Sequence, residues 1–205
     1  MNLVIGSGDI APLLSGKTTK GYQGLFRKFV SEYKPYYNAT ASPIDALRTG
    51  GLIEKKYIEM LPGDYFCQKK ATFKEMDCLI SSIDFAKMEG GKIVDFDELK
   101  TIYLPDFIDV IIPLTELTQP EYSAILKKSF KNNYNQVQFQ MMCAELNECN
   151  LVFLSVDSYN DEGNEARVLN ERDFYKFRIK RDEPVILEIK ERGKIFQTIK
   201  DHFVN

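Results

Sequence analysis

The sequence predicts an α/β protein of the α+β type, in which a central mixed β-sheet carries a β-hairpin and is flanked by helices. Within residues 78–103, two β-prone runs are separated by a glycine-containing turn, which is the pattern of a hairpin. Helically spaced apolar residues stand before and after it, and residues 151–156 form a continuous apolar run typical of a buried strand. There is no repeat and no flexible linker, so we expect a single domain over residues 1–205.

The composition is that of an ordinary globular protein. Hydrophobic residues make up 44% of the chain and charged residues 28%, which excludes the disordered, collagen-like and coiled-coil classes. No apolar run approaches the roughly 18 residues of a membrane-spanning helix, and the first residues lack the basic start of a signal peptide. Four cysteines are too few for a disulfide scaffold, so we expect a cytoplasmic protein without a membrane partner.

The net charge of −3 is unevenly distributed. Residues 1–60 carry eight basic and five acidic side chains, so the rest of the chain is distinctly acidic. Charge alone favours a solvated mixture without functional meaning. Clustered carboxylates are also the groups that bind divalent cations, and this second interpretation stays open.

Two helices are predicted in the first third of the chain. Apolar residues at helical intervals indicate a helix over residues 22–33. The Ser-Pro pair at 42–43 is typical of an N-cap followed by a first-turn proline, and this second helix is expected to continue to about Leu61. Residues 64–77 then form a predicted strand and turn.

After the hairpin, helices and strands alternate. The predicted elements are helices over residues 120–130 and 134–147, a strand over 151–156, a loop over 160–163, a strand over 174–179 and an amphipathic helix over 182–203. Together with the hairpin, they predict helices packed against a central sheet.

The second strand of the hairpin carries an acid-x-lysine triplet, Glu98-Leu99-Lys100. Residues two apart on a strand face the same side, so Glu98 and Lys100 project together and Leu99 faces away. Such a pair is either a surface ion pair or a metal ligand beside a lysine that positions water or stabilises an oxyanion. A second copy, Glu188-Ile189-Lys190, lies in a helical pattern where residues two apart diverge by about 200°, so we exclude it as a site.

The register of the hairpin decides which acids join this pair. Asp84, on the first strand, shares a face with Glu98 only if the numbers of paired residues sum to an even value. A three-residue loop over 89–91 satisfies that condition: it pairs Met88 with Lys92 and places Asp84 opposite Phe96.

A four-residue loop is the alternative. It gives an odd sum and puts Asp95 and Asp97 beside Asp84, so that three carboxylates meet without a lysine. We favour the three-residue loop, because Gly90 or Gly91 can adopt the left-handed conformation that it requires.

Five short motifs follow one another along the chain. They are Gly50-x-x-x-Glu54 with Arg48 before it and Tyr57 after it, Ser82-Ile83-Asp84, Glu98-Leu99-Lys100, Gln136-Val137-Gln138 and Arg181-Asp182-Glu183. In this order they resemble the PD-(D/E)XK nuclease superfamily, and within it the YqaJ-type, lambda-exonuclease-like viral recombination nucleases. The family usually has proline before the metal-binding aspartate, where this chain has Ile83. The resemblance implies a restriction-endonuclease-like fold.

The resemblance also implies a catalytic site that depends on Mg²⁺ or Mn²⁺. Asp84 and Glu98 would bind the metal together with the carbonyl oxygen of Leu99, Glu54 would complete the site, and Lys100 would orient or deprotonate the attacking water. No other cofactor is implied.

Three further residues are candidates on the same grounds. Gln136 would reach the site from its helix, whereas Arg48 and Ser82 would contact DNA phosphates. Two alternatives remain open from the residues alone. Glu54 could be an exposed helix carboxylate paired with a lysine, and Gln136 could be part of a polar helix surface.

The implied activity is exonucleolytic hydrolysis of DNA at duplex ends, for phage or prophage recombination. A homo-oligomer, a trimer by analogy, and a single-strand-annealing protein are the implied partners. We expect the N-terminal segment around residues 6–18 to form a loop over the site or along the DNA path. A restriction-type endonuclease and a catalytically inactive DNA-binding module are the alternatives.

Overall fold

The computed structural model describes residues 3–30, 42–158 and 161–204, and the side chains at 42–47 and 161–162 lie outside the description as well. Within these ranges, five strands form one sheet in the order β1-β2-β3-β4-β5. They are β1 Tyr65–Thr72, β2 Ile80–Glu89, β3 Lys92–Tyr103, β4 Glu148–Val156 and β5 Phe174–Lys180. Strands β3 and β4 are parallel and the other neighbours are antiparallel, so the prediction of a mixed sheet is confirmed.

The helices lie on both faces of this sheet. They are α1 Ile10–Leu13, α2 Lys20–Val30, α3 Ser42–Met60, α4 Leu104–Asp106, α5 Ile112–Leu114, α6 Gln119–Ser129, α7 Lys131–Ala144, α8 Asp161–Ala166 and α9 Glu183–Val204. The predicted helices correspond to α2, α3, α6, α7 and α9, although residues 31–33 and the side chain of Ser42 lie outside the described residues. No described helix combines the length and the apolar character needed to cross a membrane.

Two helical stretches after the hairpin were not predicted. A π-helical turn over Phe107–Ile111 joins α4 to α5, and a proline stands in the first turn of each of those short helices, where it breaks no hydrogen bond. The loop expected over 160–163 is wrong for its described part, because residues from Asp161 onward form α8. The Asn164 side chain anchors α8 by donating a hydrogen bond to the Ser158 carbonyl, and Asn160 lies outside the described residues.

The N-terminal segment is not the loop that we expected. Ile5 forms a parallel bridge with Leu79, next to β2. Ile5, Ile10 and Leu13 are fully buried and belong to the same apolar cluster as Phe196 of α9. This segment is therefore part of the hydrophobic core. Its apolar residues contribute more to the stability of the fold when they are removed from water than they would on an exposed loop.

Helix α7 contacts two apolar clusters. Phe139 and Met142 pack with α1, α2 and α9, whereas Val137 and Met141 pack against the sheet. A third cluster lies on the other face of the sheet, where Ile53 and Tyr57 of α3 contact strands β2, β3 and β4. The middle of β3 is therefore enclosed between α7 on one face and α3 on the other.

The loop of the hairpin has two residues and not three. Gly90 and Gly91 both have positive φ, at 55° and 78°, as a two-residue turn that matches the twist of the strands requires. The pairs next to it are Glu89 with Lys92 and Met88 with Ile93, so the predicted pairing of Met88 with Lys92 is wrong.

A bulge then restores the even register. Lys87 pairs with Asp95, so Val94 is an extra residue on β3. The ladder continues through Ala86 with Phe96 and Phe85 with Asp97. Asp84 therefore stands opposite the position of Glu98, and its predicted position opposite Phe96 is wrong.

Candidate active site

Strands β2 and β3 separate where the candidate acids lie. Their ladder ends at the pair Phe85–Asp97, and beyond it the Leu99 N–H donates to Oδ2 of Asp84 at 3.3 Å. The alternation of β2 is also interrupted here, since Ile83 and Ala86 pack in the same cluster although they are three residues apart. Irregular strand geometry of this kind redirects a side chain, and here it turns Asp84 toward β3.

Glu98 lies at the centre of the site. Its side chain is fully buried, and both carboxylate oxygens accept hydrogen bonds. Lys100 Nζ at 2.6 Å and Gln136 Nε2 at 2.5 Å donate to Oε1, and Gln140 Nε2 at 2.6 Å donates to Oε2. A buried carboxylate is tolerated only when it is paired and hydrogen-bonded in this way.

The acids and the lysine form one electrostatic group. Burial and then the charge of Glu98 raise the pKa of Asp84 to about 8. Burial and Glu98 also raise the pKa of Glu54, which approaches from α3. Burial by itself would lower the pKa of Lys100, but the attraction of Glu98 and Asp84 outweighs it and the pKa is raised. The site therefore holds an excess of negative charge around one ammonium group.

The residues present fit a hydrated divalent cation. The charge of Glu98 raises the pKa of Asp84, and a cation bound between the two carboxyl groups would relieve this repulsion. Beside them, Oε1 of Gln140 is buried and has no hydrogen-bond partner among the described residues. Within the described ranges no three acidic, cysteine or histidine side chains are gathered as a metal cluster. Mg²⁺ needs only one or two carboxylates, since waters and substrate oxygens complete its octahedron.

Ser82 is connected to Asp84 through a glutamine that the sequence did not single out. Its hydroxyl donates to Oε1 of Gln68 at 2.8 Å, and Nε2 of Gln68 donates to Oδ1 of Asp84 at 3.4 Å. Gln68 has a φ of 52°, a conformation that is unfavourable for a residue with a side chain. Ser7 adds a contact from the N-terminal segment, because its hydroxyl bonds to the backbone N–H and carbonyl of Ser82.

The structure thus brings together Asp84, Glu98, Lys100 and Gln136, with Glu54 and Ser82 beside them. Arg48 is exposed on α3, about 120° around the helix axis from Glu54. Leu99 directs its side chain to the opposite face, into the cluster that contains Tyr57, as predicted.

The second acid-x-lysine triplet lies in helix α9, as predicted. There Glu188 accepts a hydrogen bond from Arg192, and Lys190 donates to Glu75. These partners differ because residues two apart on a helix point in different directions. Glu188 and Lys190 therefore do not form a pair.

A buried polar network lies behind the site, on the other face of β3. Asp97 is fully buried, and its Oδ2 accepts hydrogen bonds from the Tyr57 hydroxyl at 2.6 Å and from Lys176 Nζ at 2.7 Å. Asn150 Nδ2 donates to Oδ1 at 2.7 Å. Burial and the adjacent Asp97 raise the pKa of Tyr57, so its hydroxyl stays a donor. One feature of the sequence pointed to this network: Tyr57 follows Glu54 by one helical turn, so the two side chains lie near each other on α3.

The sheet, its separated hairpin and the flanking helices form a fold that solved structures of exonucleases share. The chain is similar to a phage-related exonuclease from Haemophilus somnus 129PT, with a TM-score of 0.61 and 13% identity over 98% of this chain and 95% of that one. It is also similar to LHK-Exo, an alkaline exonuclease from Laribacter hongkongensis, with a TM-score of 0.59 and 16% identity over 98% of this chain and 90% of that one.

LHK-Exo has also been solved in complex with dAMP, and that structure gives a TM-score of 0.57 at 16% identity. No protein-family model matches the sequence, and no curated protein matches it either. At these identities the likeness establishes the fold.

Proposed function

We propose that this chain is a Mg²⁺- or Mn²⁺-dependent deoxyribonuclease, an exonuclease that hydrolyses phosphodiester bonds at the ends of duplex DNA. The observation that carries the proposal is the meeting of Asp84, Glu98 and Lys100 at the separated end of the β2–β3 hairpin, inside a fold shared with exonucleases. Two neighbouring carboxylates repel each other, which costs stability. Their position beside a lysine therefore suits phosphodiester hydrolysis better than a structural role.

Asp84, Glu98 and the carbonyl oxygen of Leu99 are the proposed metal ligands, and Glu54 completes the negative site. When bound, the metal lowers the pKa of its water and stabilises charge on the phosphate oxygens. The protein's own contribution is to hold Glu98 rigidly, through three donors on its two oxygens.

Lys100 is the proposed catalytic lysine. Its ammonium lies 2.6 Å from Oε1 of Glu98, and its side chain is one quarter exposed. It can therefore contact both the buried acid and a water at the surface of the site, where it would orient that water or stabilise charge on the phosphate. Gln136 donates to the same oxygen of Glu98, which supports its assignment to the site rather than to a polar helix surface.

Arg48 and Ser82 are proposed to contact the DNA backbone. Arg48 is exposed on the helix that carries Glu54. The Ser82 hydroxyl is connected to Asp84 by the Gln68 side chain, which hydrogen-bonds to both. Guanidinium and hydroxyl groups are common donors to phosphate oxygens. A nucleotide substrate is also supported by the dAMP complex of LHK-Exo.

The biological role that we propose is the resection of DNA ends for phage or prophage recombination, and the phage-related exonuclease of the same fold supports it. A homo-oligomer, a trimer by analogy, and a single-strand-annealing protein are the proposed partners. Size-exclusion chromatography with light scattering tests the oligomeric state directly.

The central experiment uses purified protein and linear duplex DNA labelled at one end, with Mg²⁺ or with EDTA. We expect shortening of the labelled strand with Mg²⁺ and none with EDTA, and the order of the products gives the polarity. Covalently closed circular duplex is the second substrate, and an exonuclease leaves it intact. Cleavage of the closed circle would support an endonuclease instead. Absence of cleavage with retained DNA binding would support an inactive DNA-binding module.

A further inference from the structure

Gln140 makes two contacts that join the strands of the site. It is fully buried on α7, and its Nε2 donates to Oε2 of Glu98 at 2.6 Å and to the backbone carbonyl of Ser82 at 2.9 Å. One acceptor belongs to β3 and the other to β2, two residues before Asp84. A single amide nitrogen therefore bridges the two strands that carry the proposed metal ligands.

The bridge lies where the backbone no longer connects the strands. The β2–β3 ladder ends at the pair Phe85–Asp97, and beyond it the only described backbone donor across the gap is Leu99 N–H, which reaches the Asp84 side chain at 3.3 Å. The separation of Asp84 from Glu98 is thus set by side chains, and Gln140 contacts both the Ser82 carbonyl and the Glu98 carboxylate.

The orientation of the amide follows from its neighbours. A carboxylate and a backbone carbonyl only accept hydrogen bonds, so the nitrogen of Gln140 must face both of them. The amide oxygen is then left facing away from both, and it is buried without a hydrogen-bond partner in the described part of the chain. Buried acceptors are nearly always hydrogen-bonded in folded proteins, so this unpaired oxygen calls for an explanation.

We propose that Gln140 is a positioning residue of the catalytic site: it holds Glu98 against the β2 segment that carries Asp84, and so sets the spacing at which the two carboxylates receive a divalent cation. The amide oxygen is a ready acceptor for a water of that cation. This inference rests on the proposed function. It deepens that proposal by adding a residue, Gln140, that none of the motifs predicting the site includes.

The same helix offers a matched control. Gln138 is also fully buried, and it also makes two hydrogen bonds, donating to the Lys180 carbonyl at 3.0 Å and accepting from the Asp182 N–H at 2.7 Å. Its partners lie at the junction of β5 and α9, away from Glu98. A substitution of Gln138 therefore reproduces the loss of a buried glutamine without touching the carboxylates.

The test measures Mn²⁺ binding by isothermal titration calorimetry on EDTA-treated, full-length wild type, Q140M and Q138M, with thermal unfolding of each. Methionine keeps the length of the side chain and removes the donor. We expect Q140M to weaken Mn²⁺ binding about 10-fold or more, as loss of a partner that orients a metal ligand does, and Q138M to leave it within about 2-fold. If Q140M does not fold, Q140N replaces it, because its amide is too short to reach both acceptors and should weaken binding in the same way.

Equal Mn²⁺ affinity of wild type and the Gln140 variant would overturn the inference, and so would equal weakening by Q140M and Q138M. A wild type that binds no Mn²⁺ would refute the metal site of the proposed function itself. The wild-type titration thus separates failure of the function from failure of the positioning role.

Discussion

The Tyr57 hydroxyl donates a 2.6 Å hydrogen bond to Oδ2 of Asp97, directly behind the residue that forms the centre of the candidate site. Asp97 and Glu98 are neighbours on β3, and both are fully buried on opposite faces of the sheet. Tyr57 lies one helical turn beyond Glu54, so this bond fixes the helix that carries Glu54 to the strand that carries Glu98. The position of Glu54 in the site therefore depends on a contact outside it.

The variant Tyr57→Phe tests that contact. It removes one hydrogen bond to a buried charge, and we expect the free energy of unfolding to fall by about 1.5–3 kcal/mol, measured by urea denaturation. Tyr103→Phe is the control, since Tyr103 is 45% exposed and should tolerate the change. Equal losses in the two variants would contradict the importance of the Tyr57–Asp97 bond.

The two acid-x-lysine triplets provide a matched pair of variants. Glu98→Gln keeps the volume of the side chain and removes a buried charge that repels Asp84. We expect it to reduce Mg²⁺-dependent cleavage by about 10²-fold or more, as the loss of a catalytic group does, while the protein stays folded. Glu188→Gln, in the helical triplet, should leave cleavage unchanged. Quantitative cleavage of end-labelled duplex measures both, and a similar rate for E98Q and E188Q would argue against the site.

The raised pKa of Asp84 predicts how the metal-free protein responds to pH. Burial and Glu98 move this pKa from 3.8 to about 8, so between those values the folded chain holds a proton that the unfolded chain has released. Stability must then decrease as the pH rises through this range. Thermal unfolding in EDTA from about pH 5 to pH 8 should show a falling midpoint. Asp84→Asn should flatten this slope and Asp109→Asn, at an exposed position, should not; an unchanged slope in D84N would refute the assignment.

Glu145 offers a stabilising substitution away from the site. It ends α7 with a φ of 58°, which favours glycine. Its ion pair with Lys74 joins two exposed side chains and contributes little. We expect Glu145→Gly to raise the free energy of unfolding by about 0.5–1 kcal/mol, measured in urea, without a change in cleavage rate. Lys74→Ala measures the ion pair separately. If E145G lowers the free energy of unfolding while K74A leaves it unchanged, the backbone at Glu145 is not strained.

Deletion of Val94 tests the bulge in the hairpin. Val94 is the extra residue between the pairs Met88–Ile93 and Lys87–Asp95, so its removal leaves a regular ladder and the same partners beyond it. We expect this deletion variant to fold and to retain cleavage. Deletion of Gly91 is the contrasting variant, because it removes a residue of the two-residue turn and forces a new register. Circular dichroism and the cleavage assay compare the two, and loss of activity on deleting Val94 alone would contradict the register described above.

Much of the fold could be predicted from the sequence, because periodicity reports which face of an element is buried. The long helices α3 and α9 and the strands of the hairpin fall within a few residues of their predicted bounds. The hairpin loop could not be predicted in the same way. Its two glycines suit a two-residue turn as well as a longer one, and only the bulge at Val94 makes the shorter turn compatible with the face of Asp84.

The candidate site was predicted to the extent that it depends on strand alternation. Glu98 and Lys100 share a face and contact each other, as the spacing required. Gln68 was missed because its role depends on an unusual backbone conformation, which no residue pattern signals. Gln140 had a usable signal, since it follows Gln136 by four residues and therefore lies on the same side of α7.

Helix α7 belongs at once to two hydrophobic clusters and to the candidate site. Phe139 and Met142 serve one interior, Val137 and Met141 the other, and Gln140 reaches Glu98 from between them. A helix held on three sides cannot rotate to accommodate a change on one of them. Substitutions at apolar positions of α7 that contact no residue of the candidate site should therefore still alter the geometry around Glu98.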